Sequence, residues 1–114
     1  MGIINSLVAA IKAAFRWITK IVRNIIRGIL NFFTEVVDWF RSLSLDKEKD
    51  TPFIADAEQF KDMLKTAPKK NVGIFEGVYD EEADEIVHQR YLEADELDAK
   101  TKEVLGNEPL VVLS

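Results

Sequence analysis

The sequence predicts an α+β protein: a long amphipathic N-terminal helix followed by a small α-β-β-α-β domain. Three observations carry that prediction. Residues 3–43 contain no Pro and one Gly, Gly28, and their apolar residues return every three to four positions. Residues 51–114 combine helical periodicity with stretches of strict alternation. Charge divides along the same boundary. Residues 1–43 carry six Lys/Arg against two Asp/Glu, whereas residues 44–114 carry nine against eighteen.

Drawn at about 100° per residue, the first segment sorts into two sides. Ile4, Leu7, Val8, Ile11, Phe15 and Ile18 share one side, and Val22, Ile25, Ile29, Phe32, Val36 and Phe40 continue it, with Trp39 on its flank. Lys12, Arg16, Lys20, Arg23 and Arg27 fall opposite. The apolar sector spans roughly 200° and keeps the period of a straight helix, which is broader than the seam of a two-stranded coiled coil. Trp17 and Trp39 lie near its border, where indole rings suit the layer between acyl chains and head groups. Cation stems lie along apolar surface while their heads reach water or lipid phosphate.

Residues 3–43 hold 21 large apolar side chains. Each is worth roughly 1.5–3 kcal/mol when buried, and a following domain this small cannot cover them all along a rod of that length. The segment is therefore expected to meet lipid, meet copies of itself, or fold back at a hinge at Gly28. It lacks the cationic start of a signal peptide and the uninterrupted run of ~18 apolar residues of a spanning helix.

Residues 44–50 read as a polar linker between residues 1–43 and a domain at residues 51–114. Thr51-Pro52 resembles a helix start, with Phe53, Ala57, Phe60 and Leu64 on one face and Pro68 beyond the end. NVGIFEGVYD and DEIVHQRYL read as strands of a hairpin turning at residues 80–83, with the two glycines of GIFEG marking a bend or bulge. Asp98 caps a short helix stopped by Gly106, and EPLVVL closes the chain as a strand.

Chemistry is sparse in this pattern. With no Cys and one His, His88, the chain offers no disulfide, thiolate or multi-His metal site. DEEADE, residues 80–85, lacks the spaced oxygen ligands of a calcium loop and reads as a solvated turn. No nucleophile–base pair or phosphate loop emerges, so no catalytic residue, metal or cofactor is expected and an enzyme is not. The net −9 of residues 44–114 disfavours nucleic acid as a partner. In pattern, the first 43 residues resemble cationic membrane-active helices such as leaderless bacteriocins and small haemolysin peptides. That resemblance implies a membrane-active effector of toxin or defence type. Such a protein starts in the cytoplasm, binds an anionic membrane, self-associates and permeabilises it. Lys12, Arg16, Lys20, Arg23 and Arg27 are then expected to line a pore or touch lipid phosphate. The acidic domain would act as the control element or bind a trigger protein. A self-assembling structural protein and a peripheral anchor are the alternatives.

Overall fold

The apolar periodicity of the first segment is divided between two short helices with an extended stretch between them. The computed structural model describes residues 2–18, 20–65 and 68–113, with side chains from residue 6 onward. Helix α1 (Gly2–Ala14) ends in a single 3₁₀ turn, Phe15–Trp17. Short strands β1 (Arg23–Ile25) and β2 (Ile29–Leu30) follow. A π-helical turn, Phe32–Val37, then leads into α2 (Asp38–Ser42).

The expected continuous helix is thus corrected, and its sequence explains why. Ile18, Ile21, Val22, Ile25, Ile26 and Ile29 crowd the middle with β-branched side chains. Such residues lose χ1 freedom in a helix and pack well on a pleated surface. Gly28 is the turn between β1 and β2, at φ +92°, and not a bend between helices. Asn31 restarts the helix, its side chain accepting from the N–H groups of Phe33 and Thr34 at 3.0 Å each.

Where a helix is expected from residue 51, strand β3 (Asp50–Asp56) forms, and only the single turn α3 (Lys61–Leu64) follows. Phe53 and Ala55 face one core and Ile54 the other, so the segment is a strand buried on both sides. Pro52 sits at the end of the pairing with the last strand, where its carbonyl accepts from the Leu113 N–H at 2.8 Å and its missing N–H leaves the terminal pair with a single bond. β4 (Val72–Asp80), β5 (Glu85–Ala94), α4 (Ala99–Leu105) and β7 (Leu110–Val112) follow the sequence reading, and the two-residue β6 (Glu96–Leu97) is an addition to it. Gly77 makes no bend. It gives room to the Phe53 ring opposite, and the register of the hairpin shifts instead between Val78 and Tyr79, where β5 carries Val87 as an extra residue.

The five-stranded sheet has the order β1-β5-β4-β3-β7, antiparallel except for β1 on β5. β2 and β6 form a separate parallel ladder. Phe53, Phe75, Tyr79 and Tyr91 form one face, covered by Ile11, Ala14 and Phe15 from α1 and its 3₁₀ turn. Ile54, Ile74, Val78 and Leu92 form the other, covered by Phe32, Val36 and Phe40 from the second helix and by Leu105. The protein is mixed α+β, and the two ends of the amphipathic segment shelter opposite faces of one sheet. Leu7, Val8 and Ile18 lie partly buried against the first core and Trp39 against the second. The side chain of Ile4 lies outside the described residues.

Candidate functional site

Between the two helices the chain runs as a rail along the sheet edge. Trp17 and Lys20 lie beside Glu85 and Gln89 at the start of β5. Arg23, Asn24 and Ile25 pair with Tyr91, Leu92 and Glu93. The N–H of Gly28 donates to the Asp95 carboxylate at 3.0 Å, and Ile29 and Leu30 pair with Glu96 and Leu97. An edge strand presents one side to the sheet and the other to water.

The exposed side chains of this stretch are mainly apolar and cationic. Among the described residues seven large hydrophobic side chains are exposed, and five of them fall here: Trp17 (72%), Val22 (59%), Ile25 (51%), Ile29 (56%) and Phe33 (56%). Arg16, Lys20 and Arg27 are exposed between them, and the chain has no Asp or Glu before Glu35. Of the residues expected on the membrane or self-association face, Ile11, Phe15, Phe32, Val36 and Phe40 are instead buried in the protein's own cores. Among the described residues of that face, only Val22, Ile25 and Ile29 are exposed. The five cations do not form one row either. Lys12 is half-buried, and Arg23 is held by Glu93.

Two buried carboxylates tie this edge to the rest: Glu76, which its sequence context did not single out, and Glu93, which opens the acidic run EADELD (residues 93–98) that composition alone reads as solvated, like DEEADE. Glu93, fully enclosed, accepts from Arg23 Nε at 2.5 Å and from the N–H groups of Lys69 and Lys70 at 3.0 and 3.1 Å. Burial pushes its carboxyl up, but Arg23 and those two amides outweigh it and hold it below the ordinary carboxylate range. On the other face Glu76 is equally enclosed, facing Arg90 in register across β4 and β5 at 2.7 Å. Burial dominates there and raises the carboxyl to about 7. The sequence signal was available: both glutamates interrupt the apolar strands GIFEGVYD and YLEA.

The other candidates are structural. In DEEADE, Asp80 accepts from the N–H groups of Glu82 and Ala83 at 2.9 and 3.0 Å, and the Tyr79 hydroxyl donates to Asp84. That is a capped turn, and no group of acids, His and Cys fit to hold a metal occurs among the described residues. His88 is exposed on β5 opposite Val78. An open groove of about 750 Å³ is lined by Leu7, Phe40, Leu45 and Leu113 together with Arg41 and Lys47. Comparison of the chain with protein families, curated proteins and solved structures gives no significant match.

Proposed function

We propose that this protein binds the surface of anionic membranes, laying residues 16–33 into the interface with the acidic remainder turned to water. The observation that carries the reading is the concentration of exposed apolar side chains on the one stretch whose charges are all positive. A soluble monomer has no reason to gather its uncovered hydrophobics on one edge unless something covers them. Exposed Trp beside Arg and Lys suits the layer between acyl chains and phosphates. The −9 of residues 44–114 is repelled by the same surface, so charge sets the orientation.

The energetics are sufficient. Burying the exposed halves of Val22, Ile25 and Ile29 contributes about 1 kcal/mol each. Arg16, Lys20 and Arg27 add about 1 kcal/mol each near anionic lipid. The sum, about 6 kcal/mol, corresponds to a dissociation constant in the tens of micromolar. No described helix is long and apolar enough to cross a membrane, so the proposal concerns the interface. Assembly of bound copies and leakage of the bilayer form its second step.

Sedimentation with vesicles tests the first step. Binding to vesicles containing phosphatidylglycerol should exceed binding to pure phosphatidylcholine by tenfold or more and weaken as salt rises. Changing Val22, Ile25 and Ile29 to Ser should abolish it without unfolding the protein. Changing Arg16, Lys20 and Arg27 to Glu should do the same. Equal binding to both vesicle types, or indifference to these changes, overturns the reading. Dye release from the same vesicles reads permeabilisation separately from binding.

A further inference from the structure

We propose that Glu76 is a proton-operated clamp on residues 32–42, which a bound proton holds against the sheet and loss of the proton loosens. The geometry points to it first. The Glu76 carboxyl is fully enclosed beneath the π turn, and only one of its oxygens is engaged, by Arg90 Nε. The other, Oε2, is buried with no hydrogen-bond partner among the described residues. A buried carboxylate needs its lone pairs satisfied, and a neutral acid tolerates the same pocket far better.

Arg90 joins this carboxyl to the helix above it. Its guanidinium also donates to the carbonyl of Glu35 inside the π turn and stacks over the Trp39 ring at 5.1 Å. π turns are rare and occur disproportionately at functional sites. The charged groups facing Glu76 are Arg90 from β5 and Glu35 from the π turn, while β3 presents Ile54 in register. Lifting residues 32–42 puts water on Glu76 and breaks the Glu35 contact in one movement.

The linkage follows from that movement. Enclosed, Glu76 holds its proton up to about pH 7, because burial outweighs the opposing pull of Arg90 and Glu35 adds a like charge. Solvated, it returns towards its ordinary 4.5. The closed state therefore binds the proton more tightly, and rising pH favours lifting. Between pH 6 and 8 the lifted fraction should grow about tenfold.

Amide hydrogen exchange of residues 33–42 at pH 6, 7 and 8, corrected for intrinsic rates, tests this. The wild type should open about tenfold more at pH 8 than at pH 6. Glu76→Gln, which cannot ionise, should lose that slope. A flat wild type, or a slope that survives in Glu76→Gln, overturns the clamp. So does an equal rise in α4, which would assign the effect to unfolding of the whole protein. Should Glu76→Gln fail to fold, carbon NMR of the wild-type Glu76 carboxyl decides instead. A midpoint near 7 supports the clamp, and one near 4.5 overturns it.

Discussion

Phe15 separates a helix built into the core from a detachable amphipathic arm. Its ring is fully buried, with centroids 5.0 Å from Phe60, 5.2 Å from Phe75 and 5.9 Å from Phe53. Two of those contacts are edge-on, the arrangement ring quadrupoles prefer. Phe15→Ala removes the ring from the centre of the first core, where three elements meet and none can collapse into the gap. The expected loss is about 4 kcal/mol, a large part of the 5–15 kcal/mol available to a typical domain. In urea, followed by circular dichroism, the midpoint should fall by roughly 2 M at a slope of about 2 kcal/mol per M. Trp17→Ala, two residues on but 72% exposed, should change stability by no more than about 0.5 kcal/mol. Phe15→Leu should lie between. Equal midpoints for Phe15→Ala and Trp17→Ala would refute the reasoning, because α1 would then not cover the sheet.

Three further substitutions examine the joints of the fold. A methyl group at Gly77 would meet the Phe53 ring, with its Cε1 at 2.7 Å, and that ring is fully buried, so Gly77→Ala should cost about 2 kcal/mol by thermal denaturation. Asp98 accepts from the Thr101 N–H at 2.9 Å to cap α4 and from the Phe32 N–H at 2.9 Å to fix the second helix; Asp98→Ala should cost about 2 kcal/mol and speed amide exchange at both places. Arg23→Gln leaves the Glu93 carboxylate enclosed without its cation and should cost about 3 kcal/mol at pH 7. Because Glu93 sits below its ordinary 4.5, its stabilisation is present above that pH and lost as pH falls further. The acid-side loss seen in the wild type should therefore shrink in Arg23→Gln.

The C-terminal half was legible in sequence where local signals agreed. Alternation set the β4–β5 hairpin, and Asp98 with Gly106 set both ends of α4. β3 was missed because Phe53, Ala57, Phe60 and Leu64 fit a helical face as well as a strand leading into a turn, and Thr51-Pro52 mimicked a helix start. Periodicity cannot separate those alternatives when a short apolar segment is buried on both sides. The N-terminal error had a different origin. A stripe of period 3.6 records only that successive turns share a direction, and two short helices with an extended spacer reproduce it. The neglected signal was composition: the β-branched residues gather between Ile18 and Ile29, while α1 contributes Ala9, Ala10, Ala13 and Ala14. Of the candidate surface, sequence located the cations and the apolar residues on one segment. It could not show which of them the sheet would claim.

The placement of five cations in the most apolar stretch has a structural explanation that must be weighed against the membrane reading. An edge strand invites pairing with another chain, and charged residues along it are a common protection. Arg16, Lys20 and Arg27 serve that purpose, and Arg23 anchors the edge through Glu93. Protection accounts for charge of either sign, however, and it argues against exposed Trp17, Val22, Ile25 and Ile29, which make an edge more prone to association. An edge guarded only against pairing would replace them with polar residues at little cost to the core, since none belongs to it. Their presence beside cations of one sign matches the chemistry of the proposed apolar, anionic partner. The sign of the charge therefore decides between the two accounts: an edge guard works with Glu in place of Arg and Lys, and a lipid-binding edge does not.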